Sequence, residues 1–224
     1  MTIQLLLGDA QKLLADIIKS IDKFILVSDP PFNIGYHYDL HDDRMPHDDY
    51  HRMLATVFGE HRHVLIHYAE SLHEHSRFIG KSPQRVVTWC YNSNTPRQHR
   101  DIAFYGIKPD FRKVSQPYKN LKDKRIIERM AAGKTARLYD WWEVNQVKNV
   151  SAEKTDHPCQ MPQEVMRRII GVLPDDYTII DPFMGSGTTG SACLEWNRDF
   201  IGIELDPKYF EIAQRRLTQN PTSV

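Results

Sequence analysis

A glycine-rich turn between two short apolar runs is the sequence feature that most restricts the fold. Residues 185–190 read GSGTTG, after the run YTIID (177–181) and before FIGIEL (200–205). The GxGxxG spacing lets backbone amides approach a nucleotide-like ligand at a helix N-terminus, and an acid ending the next strand can bind ribose hydroxyls. Glu204 stands at that point. The pattern predicts a nucleoside-cofactor site and leaves NAD and S-adenosylmethionine as candidates.

Apolar runs alternate with helical patterns along most of the chain. Strands are predicted at 3–7, 24–28, 64–68, 86–90, 102–107, 177–181 and 200–205. Helices are predicted at 10–21, 50–58, 72–79, 162–173, 191–197 and 207–217. Such alternation is typical of an α/β fold with a parallel, doubly wound sheet. Residues 33–49 are polar and lack periodicity, so we interpret them as a surface loop. Residues 108–156 are basic and only weakly periodic, and we interpret them as an inserted binding region.

Composition excludes several protein classes. The chain has 224 residues and three cysteines, Cys90, Cys159 and Cys193, which form no CxxC pair and favour a reduced environment over a disulfide framework. No stretch approaches the roughly 18 apolar residues that a membrane helix needs. We therefore expect a soluble, cytoplasmic protein.

The formal net charge of zero conceals an uneven distribution. Residues 1–76 carry 12 acidic and 6 basic side chains, whereas residues 97–137 carry 12 basic and 4 acidic ones. A local basic excess suits contact with nucleic-acid phosphates, although a solvated surface explains it equally well when it is taken alone. Four cations crowd into seven positions and are the candidate DNA contacts: Lys119, Lys122, Lys124 and Arg125.

The tetrad DPPF follows the second predicted strand. It consists of Asp29, Pro30, Pro31 and Phe32. Two prolines fix φ and stiffen the turn, and the carboxyl ends of parallel strands are where open α/β sheets bind ligands. The Asp29 carboxylate and a proline carbonyl offer two acceptors for a substrate NH₂ group, and the Phe32 ring can stack on a planar base.

Several motifs together resemble the amino-group DNA methyltransferases. In chain order they are LLLGD (5–9), DPPF (29–32), HPCQMP (157–162), DPFMGSGTTG (181–190) and GIELD (202–206). With the catalytic motif before the cofactor motif, the order resembles the permuted β class of N6-adenine and N4-cytosine enzymes. The resemblance implies a seven-stranded methyltransferase (Rossmann-like) sheet, S-adenosylmethionine as cofactor and double-stranded DNA as substrate. It also implies that residues 1–8 form the edge strand beside FIGIEL.

The resemblance assigns roles to the motif residues. It implies that Asp9 holds the cofactor adenine, Glu204 its ribose and the turn 185–189 its methionine end, while Asp181 orients that turn. The full implied cofactor set is Asp9, Ala10, Asp181, Phe183, Gly185, Ser186, Gly187, Thr188, Thr189, Glu204 and Leu205. The target base, most simply adenine, leaves the duplex, Phe32 stacks on it, and Asp29 and the Pro30 carbonyl accept its amine hydrogens.

The same resemblance divides the chain. Residues 1–107 form the catalytic half of one domain, 108–156 a target-recognition insertion and 157–224 the cofactor-binding half. The resemblance is compatible with a homodimer and with a companion endonuclease, and it specifies neither. Two motifs depart from the family pattern: HPCQMP carries Cys159 and Met161 in place of threonine and lysine, and the tetrad ends in phenylalanine rather than tyrosine.

Other interpretations explain less of the sequence. N4-cytosine methylation uses the same tetrad and remains the main alternative. An NAD-dependent oxidoreductase leaves DPPF and the basic segment unexplained. A DNA-binding protein with an inactive site leaves the acceptors of DPPF without a use. The Pro-Cys-Gln triplet at 158–160 resembles the nucleophile of carbon-5 cytosine enzymes, but it precedes the glycine motif and leads into a helix.

Nine of the eleven histidines lie between His37 and His75. Their spacing matches no metal-binding motif, since His73-Glu74-His75 lacks the i, i+4 pair of HExxH. We predict no metal site and assign this stretch to a polar surface or a loop that faces DNA.

Overall fold

The chain forms a twisted sheet with helices on both faces. The computed structural model describes residues 1–36, 43–148 and 151–218. The strands are β1 (Ile3–Leu7), β2 (Phe24–Ser28), β3 (His63–His67), β4 (Arg85–Cys90), β5 (His99–Tyr105), β6 (Ser115–Gln116), β7 (Ala136–Arg137), β8 (Trp141–Glu143), β9 (Thr178–Asp181) and β10 (Phe200–Glu204). The main sheet has the order β1-β10-β9-β2-β3-β5-β4-β8, and β6 pairs with β7 separately.

Helices connect most of these strands. They are α1 (Ala10–Ile18), α2 (His47–Phe58), α3 (Ala69–Ile79), α4 (Lys124–Ala131), α5 (Gln163–Val172), α6 (Thr188–Glu195) and α7 (Pro207–Thr218). Local chemistry fixes several helix ends: the Asp9 carboxylate caps α1, and Gly80 ends α3 in the left-handed conformation, with φ 64°. Among the described residues, no helix combines the length and apolar character needed to cross a membrane.

Strand order brings distant motifs to one edge of the sheet. β2 and β9 pair in parallel, with Leu26 opposite Ile180, and β10 and β3 flank them in the same direction. The predicted edge strand is confirmed, because β1 pairs in parallel with β10 over its full length. The carboxyl ends of these five strands therefore lie side by side, and the loops that carry the predicted motifs follow them.

The far half of the sheet differs from the prediction of a parallel, seven-stranded sheet. β5 is antiparallel to both β3 and β4, because only residues 91–98 connect β4 to β5 and a parallel crossover needs a longer connection. β8 pairs in parallel with β4 and adds an eighth strand. This strand comes from the predicted insertion, and its Trp142 side chain is fully buried.

Both faces of the sheet are covered. Ile25 and Val27 of β2 pack with α5 and α6 in one core, whereas Leu26 between them packs with α1 and α2 in the other. Neighbouring residues of a strand point to opposite faces, so a strand buried on both sides is apolar throughout. This explains why the central strands appear in the sequence as unbroken apolar runs.

The assignment of the histidine-rich stretch to a polar surface is wrong for four of its members. His51, His63, His67 and His75 are buried, while His37 and His41 lie outside the described residues. The Nδ1 atom of His63 lies 2.9 Å from a backbone carbonyl and donates to it, so its Nε2 accepts from Nε2 of His75 at 3.0 Å. Because burial disfavours the charged form, the pKa of His63 falls to about 4 and that of His75 to about 3.

These buried histidines make the fold sensitive to acid. In the unfolded chain a histidine has a pKa of about 6.5, so below that pH the unfolded state binds more protons and the free energy of unfolding falls. We expect His75→Gln, which keeps a donor for His63, to reduce this fall by up to about 1.4 kcal/mol per pH unit between pH 6 and 5. Urea unfolding of both proteins at several pH values measures the difference. His73→Gln, on the exposed side of α3, is the control, and a wild-type slope in His75→Gln contradicts the prediction.

Candidate active site

A cavity of about 440 Å³ lies at the carboxyl ends of β1, β10, β9 and β2. Its volume falls within the range of about 300–1,000 Å³ that is usual for small-molecule sites. Fourteen of the fifteen residues predicted for catalysis and cofactor binding line it: Asp29, Pro30, Pro31, Phe32, Asp9, Ala10, Asp181, Phe183, Gly185, Ser186, Thr188, Thr189, Glu204 and Leu205. Gly187 does not line the cavity; it precedes α6 with φ 79° and packs against Ala213 of α7.

Asp181 joins the two principal motifs. Its Oδ1 accepts hydrogen bonds from the Ser28 hydroxyl at 2.6 Å and the Phe183 amide at 3.0 Å, and its Oδ2 accepts from the Thr189 hydroxyl at 2.5 Å. Burial raises the pKa of Asp181 to about 6, and these hydrogen bonds limit the rise. One buried carboxylate therefore fixes the end of β2, the turn after β9 and the start of α6 relative to one another.

Glu204 is held in place by backbone amides. Its Oε2 accepts from the Gly185 amide and its Oε1 from the Asp206 amide, each at 2.8 Å. Burial raises the pKa of Glu204, while the two amides lower it in part. Each oxygen retains lone-pair capacity, so the carboxylate can still accept hydrogen bonds from a ligand in the cavity.

Close packing requires a glycine at position 185. Its φ is 51°, and a Cβ atom there would lie 3.0 Å from Nε2 of His157. His157 lines the cavity from the HPCQMP segment, and its buried Nδ1 has no hydrogen-bond partner within the described part of the chain. Cys159 and Met161 of the same segment also line the cavity.

The start of the chain lies beside Glu204. The Gly8 amide donates to the Glu204 carbonyl at 2.8 Å, which extends the pairing of β1 with β10. Asp9 then caps α1, its Oδ1 accepting from the Gln11 amide at 3.0 Å. The carboxylate predicted to contact adenine thus lines the cavity and also begins a helix.

The DPPF turn places a poorly paired carboxylate in the cavity. The Asp29 side chain is 13% exposed, and its buried Oδ1 has no hydrogen-bond partner among the described residues. Its Oδ2 lies 3.5 Å from Nη1 of Arg100. Burial raises the pKa of Asp29 to about 7, although the Arg100 charge opposes the rise. Leaving a buried acceptor without a donor is costly, so this oxygen is well suited to a donor on a ligand.

A directional chain of hydrogen bonds supports the second proline. The Tyr68 amide donates to Nδ1 of His67 at 2.8 Å, so the proton of the neutral ring is on Nε2. That atom donates to the Tyr50 hydroxyl at 2.7 Å, and the hydroxyl donates to the Pro31 carbonyl at 2.7 Å. Burial lowers the pKa of His67 to about 3 and thereby favours the neutral ring. The Tyr50 hydroxyl thus fixes the Pro31 carbonyl, and with it the DPPF turn.

Sequence reasoning missed four residues that shape this site. His67 and Tyr50 support DPPF, and Arg100 contacts both Asp29 and Phe32. The buried Asp43 accepts hydrogen bonds from the amides of residues 33, 34 and 36 and fixes the loop after DPPF. No local pattern marks these residues, and Arg100 is counted in the sequence only as part of the basic excess.

The four candidate DNA contacts lie away from the cavity lining. Lys119, Lys122, Lys124 and Arg125 are all exposed, and Nζ of Lys119 lies 3.6 Å from the centre of the Trp141 ring. α4, which carries two of them, has no buried residue. The segment is anchored nearby, because Val114, Leu138 and Trp142 enter the main core.

The cavity suits S-adenosylmethionine by its chemistry. It combines the Glu204 and Asp206 carboxylates for hydroxyl and amine donors with apolar walls from Ala10, Phe183 and Leu205. Within the described ranges, no group of three or more His, Cys, Asp and Glu residues is placed to hold a metal ion.

Comparisons with known proteins agree with this site. A family model for DNA methylases of the N6/N4 type matches residues 25–215. The Type II methyltransferase M.BglII of Bacillus subtilis is 27% identical over 96% of this chain and 68% of its own length. The DNA adenine methyltransferase YhdJ of Escherichia coli K12 is 28% identical over 94% of this chain and 81% of its own.

Solved structures share the fold. The M1.HpyAVI complex with S-adenosylmethionine superimposes with a TM-score of 0.61 at 24% identity, covering 96% of this chain and all of that one. The cytosine-N4-specific PvuII DNA methyltransferase gives a TM-score of 0.67 at 15% identity, covering this chain fully and 89% of its own.

The prediction of a Rossmann-like methyltransferase fold is therefore confirmed. With its family model matched from β2 into α7, the chain belongs to the N6/N4 DNA methylase family of S-adenosylmethionine-dependent DNA methyltransferases.

Proposed function

We propose that this protein methylates the N6 amine of an adenine that has left the DNA duplex. The observation that carries the proposal is the placement of DPPF beside the glycine turn, in one cavity, with an Asp29 oxygen that no described residue pairs. An exocyclic amine is paired inside a duplex, so the base must swing out to reach such a cavity. The similarity to an adenine methyltransferase supports adenine over cytosine.

The tetrad residues act on the base. Asp29 and the Pro30 carbonyl accept the two amine hydrogens, and this draws the nitrogen lone pair out of conjugation with the ring. When bound, S-adenosylmethionine supplies a methyl group on a positively charged sulfur. With cofactor and base both bound, transfer would form the nitrogen–carbon bond as the carbon–sulfur bond breaks, S-adenosylhomocysteine would leave, and the amine would lose one proton. A carboxyl group with a pKa of about 7 can receive that proton near neutral pH.

The remaining cavity residues hold the cofactor. Glu204 accepts hydrogen bonds from the ribose, Asp9 and Ala10 contact the adenine, and the turn 185–189 contacts the methionine end. Phe183 and Leu205 contribute apolar walls. Asp181 acts on the cofactor indirectly, by orienting the turn that contacts it. Its two oxygens already accept hydrogen bonds from Ser28, the Phe183 amide and Thr189.

Residues 108–156 form the DNA-recognition part of the protein in this proposal. Exposed cations on and before α4 contact phosphates, while β8 attaches the segment to the sheet beside β4. The catalytic half, residues 1–107, and the cofactor half, residues 157–224, then belong to one domain. A cytoplasmic location, where DNA and cofactor meet, follows from the activity, with a homodimer and a companion endonuclease as further options.

Labelled methyl groups test the proposal directly. The protein is incubated with unmethylated duplex DNA and S-adenosylmethionine that carries a labelled methyl, and the DNA is digested to nucleosides. Label in N6-methyldeoxyadenosine supports the proposal. Label in N4-methyldeoxycytidine shows that cytosine is the target instead of adenine, and DNA without label shows that the protein does not transfer the methyl group. Sequencing the labelled sites maps the target sequence.

Asp29→Ala removes the acceptor that acts on the amine. We expect methyl transfer to fall by about 10²-fold or more, because the substitution deletes a preorganised interaction made mainly in the transition state. Cofactor affinity, measured by calorimetry, stays close to that of the wild type. Asp16→Ala, at an exposed aspartate of α1, is the control. A turnover near the wild-type value in Asp29→Ala excludes Asp29 from catalysis.

Glu204→Ala removes the acceptor assigned to the ribose. The ribose is remote from the methyl group and is bound alike in the ground and transition states, so the affinity for S-adenosylmethionine should fall more than the maximal rate. Calorimetric titration and rates at saturating cofactor separate the two effects. Glu60→Ala, at an exposed carboxylate, is the control. Unchanged affinity removes Glu204 from the site.

Replacing Lys119, Lys122, Lys124 and Arg125 by glutamine tests the DNA surface. The slope of log affinity against log salt should become shallower by about 0.9 for every phosphate that is no longer neutralised, while cofactor affinity stays constant. Fluorescence anisotropy of a labelled duplex at several salt concentrations measures the slope. The matched control removes four exposed cations elsewhere, Lys12, Lys19, Arg52 and Arg77. Equal slopes in the two quadruple variants assign phosphate binding to another surface.

A further inference from the structure

Arg100 lies in the catalytic pocket rather than on the basic surface. Its side chain is only 17% exposed, at the second position of β5. Its Nη1 lies 3.5 Å from Oδ2 of Asp29, and the centre of its guanidinium lies 4.5 Å from the centre of the Phe32 ring. The group therefore contacts both side chains that the proposed function assigns to the target base.

The Phe32 ring has no face left for a base. His67 stacks on it with ring centres 4.3 Å apart and an angle of 24° between the planes, and Tyr68 meets its edge at 5.0 Å. A ring face accommodates one planar group, so His67 and the Arg100 guanidinium occupy opposite faces. His67 is fully buried and fixed by its hydrogen bonds to the Tyr68 amide and Tyr50. A base can stack on Phe32 only where Arg100 now lies.

The hydrogen bonds of Arg100 and Asp29 are also incomplete. Nε of Arg100 is buried without a hydrogen-bond partner among the described residues, as is Oδ1 of Asp29, so the pair is only partly satisfied. Arg100 further contacts the sulfur of Met161, 3.7 Å from Nη1, the Trp89 ring, whose centre lies 5.5 Å from the guanidinium carbon, and Tyr91, with which it shares a hydrogen bond. Buried polar atoms without partners raise the free energy of this arrangement, and an incoming amine donor relieves it at Asp29.

Deepening the proposed function, on which this inference rests, we propose that Arg100 fills the target-base position in the DNA-free protein and leaves it when the base enters. Its planar guanidinium resembles the base in two respects: it carries N–H donors beside Asp29, and it lies over the Phe32 ring. Arg100 is thus a positioning residue, which keeps Asp29 and Phe32 in place until DNA arrives.

Arg100 also governs the ionisation of Asp29. Among the described residues, the titratable groups that interact with the Asp29 charge include Arg100 from β5, Asp181 from β9, Tyr50 from α2 and Tyr91 after β4, while the neutral His67 of β3 stacks on the nearby Phe32. Arg100 is the cation whose charge opposes the effect of burial on the pKa of Asp29. Without it, that pKa rises above about 7, and a higher pH is needed to form the carboxylate that accepts the amine hydrogens.

Two substitutions separate these effects. Arg100→Met removes both charge and plane, whereas Arg100→Lys keeps a charge but cannot cover the ring face as a guanidinium does. Arg77→Met, which removes an exposed arginine paired with Glu74 within α3, is the matched control. Circular dichroism establishes that each variant is folded, and Arg100→Lys carries the test of base entry if Arg100→Met does not fold.

The first measurement compares two duplexes in the presence of S-adenosylhomocysteine. One carries the mapped target base, and the other has an abasic site at that position. In the wild type the base must displace Arg100, whereas an abasic site need not. We expect the ratio of the abasic Kd to the base Kd to rise about five- to thirtyfold in Arg100→Met, the effect of one desolvated cation–π contact, and by a smaller factor in Arg100→Lys, which keeps a cation but covers less of the ring face. A purely structural role leaves this ratio unchanged.

The second measurement is the pH dependence of kcat/KM. We expect its acid limb to move up by about one to three pH units in Arg100→Met and to stay near the wild-type position in Arg100→Lys. Methylation with an unchanged Kd ratio and an unchanged acid limb overturns this inference and leaves the proposed function intact. A wild-type protein that transfers no methyl group to DNA overturns both.

Discussion

The buried Asp181 carboxylate is the interaction on which the site depends. A charge inside a protein is tolerated only when hydrogen bonds replace its hydration, and here Ser28, Thr189 and the Phe183 amide supply them. These donors come from β2, from the turn after β9 and from α6. Because β2 and β9 pair in parallel, the carboxylate can satisfy all three at once, and two motifs about 150 residues apart in the chain are held in one register.

Asp29 and Asp181 carry the same side chain but have different roles in the site. Both end adjacent strands, and burial raises the pKa of each, to about 7 and about 6 respectively. Asp181 has donors on both oxygens and is structural. Asp29 has an oxygen without a partner among the described residues and a loose contact with Arg100, so its hydrogen-bonding capacity is available to a ligand. Hydrogen-bond partners, rather than residue type or burial, distinguish the two roles.

The DPPF turn is both a motif of the family and the centre of the proposed mechanism. Hydrogen bonds from His67 to Tyr50 and from Tyr50 to Pro31 fix the DPPF turn. The direction of these hydrogen bonds follows from the position of the single proton on the neutral His67 ring. In this proposal the Pro30 carbonyl and Asp29 face the substrate. The departures from the family pattern lie close by, since Met161 contacts Arg100.

Much of the fold could be predicted because short apolar runs between turn residues mark buried strands with little ambiguity. β1, β2 and β9 lie where the runs predict them, and β10 ends within one residue of its run. Helix starts are harder to predict. α6 begins at Thr188, three residues before the apolar pattern, because Gly187 ends the turn in a left-handed conformation that only the backbone reveals. β8 was not predicted, since three residues are too few to show the alternation of polar and apolar side chains that marks a strand.

The sequence by itself determined the α/β class of the fold and fourteen of the residues that line the cavity, because motif residues follow strands and parallel strands share a carboxyl edge. Only the tertiary structure decided which polar side chains are buried and what they touch. Three histidines with polar side chains lie in the core: His63, His67 and His75. Arg100 belongs to a basic stretch of the sequence, yet its side chain lies beside Asp29. These contacts depend on which strands become neighbours in the sheet, as β3 and β5 do. The residues that surround a side chain in the sequence do not indicate which distant residue it will contact.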